Sequence, residues 1–264
     1  MTPRNDAGDG GTTRAVTGAG HDPDVWRSRV EATGRWSVDD LRALVPGRDR
    51  LLVLSAHPDD ESIGAGRLLS AWRRSGGRAR AVTATAGEAC FDHVTSRPEG
   101  LAAARLVEWR AALAALDVEA GETYGLPDGG LEAAEDALVH AVTVSVHDLA
   151  TLDDLVLLAP HPHDPHPDHR AVGRAAAAVG ARLGTPVWHF RVWMTYWSEP
   201  DVDLGGHLVT VDVDAADDRA WASAVRCFAT QLEPQRPGWG AVVPPAMLAH
   251  HDRQLLVLPL EETP

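Results

Sequence analysis

The sequence predicts an α/β fold: a Rossmann-like, mostly parallel sheet with helices on both faces. Three observations carry that expectation. Short apolar runs alternate with longer stretches of helical spacing, each run stops abruptly in polar residues, and the lengths suit βαβ units. Leu51 to Ser55 reads as a first strand, followed by a loop and a helix from Ile63 to Arg74. The order repeats as a strand from Arg78 to Thr85, a helix from Pro98 to Leu116, a short strand from Glu122 to Tyr124 and a helix from Leu131 to Leu149. It repeats again as a strand from Leu155 to Ala159 and a helix from about Arg170 to Leu183. Beyond residue 185 the pattern changes. Val187 to Trp197 and His207 to Val213 are strand-like, with Trp188, Trp193 and Trp197 read as packing residues on the first. Asp217 to Gln231 reads as a helix and Leu255 to Leu258 as a last short strand. The proline- and glycine-rich stretch 232–246 reads as a shaped loop, in which Trp239 could stack on a ligand but more simply anchors the loop.

Length and composition set the frame. A chain of 264 residues, 44% hydrophobic, can bury a full core as one large domain. Residues 1–20 read as a flexible tail without an apolar signal region, and 21–264 as a single domain. Within it, 50–185 carries the chemistry, and 186–264 adds C-terminal strands, a helix and a substrate-side loop. The formal charge of -14 repels phosphate backbones, so nucleic acid is not an expected partner. No apolar run reaches membrane-spanning length, and Cys90 and Cys227 lack the spacing of a disulfide or CxxC framework. A cytoplasmic protein is expected.

Two clusters carry chemistry. Ala56-His57-Pro58-Asp59-Asp60-Glu61 stands where the first strand gives way to its helix, the position at which open α/β sheets bind ligands. His57 and Asp60, three residues apart, can aim an imidazole and a carboxylate at one ion. The second cluster, His161-Pro162-His163-Asp164-Pro165-His166-Pro167-Asp168-His169, follows the strand Leu155 to Ala159. If the two strands are neighbours, both clusters converge and supply the two histidines and one carboxylate of an open zinc centre. A metal there would lower the pKa of bound water from 15.7 to about 7. Spacing leaves open which of Asp59 and Asp60 binds the ion and which activates the water.

The A-H-P-D-D-E string after a strand, joined to a later H-P-D-H, resembles the LmbE-like or PIG-L family of zinc-dependent N-acetylglucosaminyl deacetylases. Arg105-Leu106-Val107-Glu108 with Ala111, Ala112 and Leu116, and Leu126-Pro127-Asp128-Gly129, agree with it. The resemblance spans roughly residues 50–175, with a weaker echo around Gln231. It implies the LmbE-like deacetylase fold and removal of an N-acyl group from an amino-sugar-containing small molecule. It implies His57, Asp60 and His169 as ligands of Zn2+, with Fe2+ an alternative ion, and Asp59 as general base. His166 would stabilise the oxyanion or protonate the leaving amine, with Asp168 orienting its ring. Arg105 and Asp128 would hold sugar hydroxyls. Asp164 departs from the tyrosine carried by the branch acting on inositol-linked glucosamine, and Asp117 from the usual glycine.

Plainer roles compete. Asp59, Asp60 and Asp168 each precede a helix, where carboxylates serve as N-caps; capping by itself gives no reason for histidines at both strand ends. His161 and His163 exceed the ligand count and read as solvated loop residues. His140, His147, His189 and His207 read as structural, and His250 and His251 as lying outside the pocket. Ile63-Gly64-Ala65-Gly66 lacks the third glycine of a dinucleotide fingerprint, so its glycines are expected to let the helix pack closely on the sheet. Two other functions fit less of the pattern: an amidase acting on a non-sugar or S-conjugated substrate, and a non-catalytic histidine-rich metal binder, which has no use for a positioned Asp59.

Overall fold

The computed structural model describes residues 20–91, 98–149, 152–238 and 240–260; residues 1–19 of the expected tail and Trp239 lie outside the described residues. Eight strands form one sheet: β1 Gly34–Trp36, β2 Arg50–Ser55, β3 Arg78–Thr83, β4 Glu119–Thr123, β5 Leu155–Pro160, β6 Val187–Phe190, β7 Gly206–Val211 and β8 Gln254–Pro259. Their order is β1-β7-β8-β6-β5-β2-β3-β4. All pairings are parallel except those of β8, which runs antiparallel between β6 and β7.

Eight helices matter below: α1 Arg27–Glu31, α2 Val38–Leu44, α3 Asp60–Arg74, α4 Leu101–Ala115, α5 Glu135–Asp148, α6 Pro167–Leu183, α7 Met194–Trp197 and α8 Ala215–Val225. The period-two alternation of the strands divides the core in two. Leu51 and Val53 of β2 join Val156 and Leu158 of β5 under α3 and α4, together with Trp72, Trp109 and Trp188. Leu52 and Leu54 join Leu155, Leu157 and Ala159 under α5 and α6. Helices therefore cover both faces, as the sequence pattern requires. Among the described residues no helix is long and apolar enough to cross a membrane.

β2 pairs directly with β5, Arg50 to Val53 against Leu155 to Leu158. From β2 the chain moves outward to β3 and β4, then returns to lay β5 on the other side of β2. That reversal opens a crevice at the carboxyl ends of β2 and β5, which brings the two histidine clusters to one place.

Helix α3 is buried from Asp60 to Trp72, and Gly64 is what lets it sit so close to the sheet. A Cβ on Gly64 would stand 2.5 Å from Phe190 Cδ2 and 2.6 Å from the backbone oxygen of Arg191. Because one of those atoms is backbone, Gly64→Ala is expected to cost about 1–3 kcal/mol of stability, readable as a lower urea midpoint at unchanged m-value.

The structure differs from the sequence expectations mainly after residue 185. The strand expected to run to Trp197 ends at Phe190, and Met194–Trp197 forms the helical turn α7. Trp193 and Trp197 thus meet as an i, i+4 stacked pair, centroids 4.1 Å apart, rather than along a strand. The helix expected from Asp217 to Gln231 starts at Ala215, behind an Asp214/Asp217 capping box, and stops at Val225.

Candidate active site

His57 leaves the end of β2, and its backbone N–H donates to Asp60 Oδ2 at 2.8 Å; the N–H of Ala56 does the same at 3.0 Å. One oxygen of Asp60 therefore fixes the loop while the other, Oδ1, lies 3.1 Å from His169 Nε2. His169 Nε2 is also 3.3 Å from His57 Nδ1, which in turn lies 3.6 Å from Asp60 Oδ2.

The outward sides of both rings are taken. His169 Nδ1 faces Asp164 Oδ1 at 3.1 Å. His57 Nε2 faces Asp128 Oδ1 at 3.1 Å and Asp168 Oδ2 at 3.2 Å. Hydrogens placed on those outward nitrogens leave His57 Nδ1 and His169 Nε2 with bare lone pairs turned toward a carboxylate oxygen. Three acceptors crowded together repel unless a cation lies among them. The contacts are 3.1 Å from His169 Nε2 to Asp60 Oδ1, 3.3 Å between the two imidazole nitrogens and 3.6 Å from His57 Nδ1 to the other carboxylate oxygen, Oδ2, each near the roughly 3.3 Å ligand–ligand edge of a tetrahedron with 2.0–2.1 Å metal–ligand bonds. The donor set thus fits a divalent ion. His166 offers a further nitrogen within 4.8 Å of those of His57 and His169.

Electrostatics point the same way. Burial opposes a charge on His57, yet Asp128, Asp168 and Asp60 outweigh it and hold its pKa well above the usual value. Burial likewise opposes charge on His169, but Asp60 and Asp164 lift it to about 9. Asp59 shows the opposite behaviour: burial, reinforced by Asp60, pushes its carboxyl up to about 7 against the pull of Arg105. His166 is driven down to about 3 by burial and by the charges on His169 and His57.

None of the three expected capping carboxylates caps its own helix. Asp59 occupies the N-cap position of α3 without a side-chain cap bond and at φ 139°, a backbone angle unfavourable for a residue with a Cβ. Its carboxylate instead meets Arg105, Nη2 to Oδ2 at 3.3 Å. At α6 the cap is His166: its Nδ1 accepts from the Asp168 N–H at 3.2 Å, leaving the hydrogen of the neutral ring on Nε2. So histidine does have a capping role here, contrary to the reading from sequence. The carboxylate of Asp168 turns away from His166 to accept from Gly129 N at 2.7 Å and Leu131 N at 3.1 Å, so it orients His57 rather than His166.

Arg105 and Asp128 lie in the same crevice, but their polar groups are largely engaged within the protein. Arg105 donates to the carbonyls of Gly87 at 2.8 Å and Pro58 at 2.9 Å, and Asp128 accepts from Ala89 N at 2.6 Å besides facing His57. His161, expected to be solvated, is buried and faces the Leu204 carbonyl at 2.9 Å, while exposed His163 faces that of Asp203 at 2.7 Å. These two rings clamp the loop ahead of β7. His250 and His251 are turned to the carbonyls of His21 and Val192 instead of the cluster.

With this geometry in place, relatives can be compared. Residues 52–179 match the family described as PIG-L, GlcNAc-PI de-N-acetylase. A 1D-myo-inositol 2-acetamido-2-deoxy-alpha-D-glucopyranoside deacetylase of Mycobacterium sp. (strain KMS) is 31% identical over 243 residues, spanning 73% of this chain and 76% of the relative. The chain belongs to the PIG-L family. Its members hydrolyse amide C–N bonds, and this chain is a deacetylase-type hydrolase. The counterpart from Mycobacterium leprae (strain Br4923) is 27% identical, spanning 56% of this chain and 59% of that protein. The fold recurs in the crystal structure of the A40926 pseudoaglycone deacetylase Dbv21, with a TM-score of 0.64, 20% identity and coverage of 80% of this chain and 97% of that one. It recurs in a deacetylase–teicoplanin complex with a TM-score of 0.59, 17% identity and coverage of 79% and 97%.

Several residues of this PIG-L site were not singled out from the sequence. Asp164 entered only as a departure, yet it buttresses His169 with one oxygen and takes the N–H groups of Val192 and Trp193 with the other, at 3.3 and 3.0 Å. Glu88, Cys90 and Gln231 also gather beside Arg105 and Asp128, the Cys90 thiol against the Gln231 side chain. Glu88 Oε2, Arg105 Nε and Gln231 Oε1 find no hydrogen-bond partner among the described residues. No spacing rule joins Glu88 to Gln231; only the fold does.

Proposed function

We propose that this protein removes the acetyl group from the nitrogen of a glucosamine-type sugar within a small glycoconjugate, using a zinc ion held by His57, Asp60 and His169. The observation carrying this reading is the set of two imidazole nitrogens 3.3 Å apart that face the Asp60 carboxylate, one at 3.1 Å from Oδ1 and the other at 3.6 Å from Oδ2, with the buried carboxyl of Asp59 close enough to feel the charges of His57 and Asp60. When bound, zinc would polarise the amide carbonyl and acidify a water molecule.

The chain's own residues supply the proton transfers. Asp59, buried and with its carboxyl lifted to about 7, takes a proton from the attacking water. Arg105 positions that carboxylate and keeps it from turning away. His166, stacked on His169 with centroids 4.5 Å apart, presents its Nε2 hydrogen to the developing oxyanion, and the proton that Asp59 took from the water passes to the leaving amine. Asp164 and Asp168 hold the tautomers of His169 and His57 through their outward nitrogens.

The substrate class draws support from the relatives named for a 2-acetamido-2-deoxy-glucopyranoside deacetylase. Two free cysteines, Cys90 and Cys227, support a reducing compartment such as the cytoplasm. The test combines metal analysis of the purified chain with an amine-release assay across N-acetyl sugars, aminoglycosides and glycosylated natural products. Activity on an N-acetylglucosamine conjugate is expected, lost on chelation and restored by Zn2+ or, if iron is the native ion, better by Fe2+. A chain that binds no divalent metal and releases no amine from any of them would refute the proposal.

A further inference from the structure

Three arginines are buried among the described residues: Arg67, Arg105 and Arg191. Two have a carboxylate partner, Arg67 with Asp218 at 2.6 Å and Arg105 with Asp59 at 3.3 Å. Arg191, only 4% exposed, forms no ion pair among the described residues. Its Nη1 donates to Thr195 Oγ1 at 2.9 Å and its Nη2 to the Arg253 carbonyl at 3.1 Å, while Nε has no partner. Burial drags its pKa down to about 10, an effect that nearby Asp252 only partly offsets. Charges this deep are ordinarily paired, because taking an ion out of water costs several kcal/mol.

Arg191 lies in the wall of a cavity of about 120 Å³ that is also lined by Pro23, Trp26 and Val30 of the N-terminal segment and by Thr195, His250 and Leu255. None of His57, Asp59, Asp60, His166 or His169 lines it. Three acids and two further arginines also line it, Asp24, Glu31, Asp252, Arg27 and Arg253, all of them exposed, and Arg27 is already paired with Asp24. Exposed charges are screened by solvent, so the buried guanidinium of Arg191 is the lining charge that water screens least. His250 does not add to it: burial lowers its pKa, and its Nε2 faces the His21 carbonyl. Trp26, Val30 and Leu255 supply apolar wall.

We propose that this cavity binds a small monocarboxylate, its carboxylate on the Arg191 guanidinium and the Thr195 hydroxyl and its short hydrocarbon against Trp26 and Leu255. The pairing would give the buried guanidinium the carboxylate partner that it lacks among the described residues. The site stands apart from the metal cluster, so it would take such an anion whether or not the deacetylase assignment is right.

Thermal unfolding of the metal-loaded full chain in acetate, propionate, phosphate or chloride, at matched ionic strength and near-neutral pH, tests this. Acetate and propionate are expected to raise Tm over chloride by about 3 °C or more at tenfold excess over Kd, with phosphate less effective. Arg191→Gln should fold, since it removes an unpaired buried charge, and should lose the rise; Thr195→Val should weaken it. His169→Ala should keep it, which separates this cavity from anion binding at the metal. No carboxylate-specific rise, a rise surviving Arg191→Gln, one lost in His169→Ala, or a preference for phosphate would each overturn the assignment.

Discussion

Asp59→Ala is expected to lower kcat/KM for amide hydrolysis by roughly 10²–10⁴-fold while leaving about one metal ion bound per chain. Asp59 is not among the groups that crowd together: its contact is with Arg105 Nη2 at 3.3 Å. Its backbone holds φ 139° at the start of α3, an angle that persists only because the surrounding loop enforces it. That strain aims a buried carboxylate into the crevice, where burial raises its proton affinity to the range useful to a base near neutrality. Asp59→Asn controls for packing, because it keeps the shape and the neighbour of Arg105 while removing the basic oxygen. Steady-state kinetics with metal content measured on the same samples decide the matter. An Asn variant within tenfold of the parent rate would remove Asp59 from the role of base.

The parts of the fold legible in the sequence are those whose signal is local. β2 and β5 announce themselves as unbroken apolar runs because both faces are buried, and α3 and α6 follow at helical spacing. β1 is three residues long, largely exposed and carries no alternating pattern, so nothing in the chain advertises it. The antiparallel insertion of β8 between β6 and β7 is a choice among topologies that share one local pattern. The turn at Met194–Trp197 was misread because aromatic residues favour strands, whereas here Asp164 captures the N–H groups of Val192 and Trp193 and bends the chain away from β6. The same division holds at the site. The histidines and carboxylates of the two strand ends were visible because chemistry concentrates them, but their partners were not. Asp128 on His57 and Asp164 on His169 depend on which oxygen faces which ring nitrogen, and the sequence does not encode that in any spacing.

His169→Ala is expected to remove both the metal and the activity. His169 is fully buried and is the one donor of the three carried by the second strand end, so the junction of β2 with β5 closes on it. Its loss leaves Asp60 Oδ1 and Asp164 Oδ1 facing a void where an imidazole stood 3.1 Å from each. Two donors from a single loop cannot complete a tetrahedral site. Metal content should fall from about one ion per chain to near zero at micromolar protein. The sharper readout is linkage, since an ion that binds the native state alone stabilises by about 2.7 kcal/mol at a hundredfold excess over Kd. Added Zn2+ should therefore raise Tm in the parent and in Asp59→Ala, and leave His169→Ala unmoved. A shared response of all three proteins would mean that the ion, if one binds, is held somewhere other than between the two strand ends.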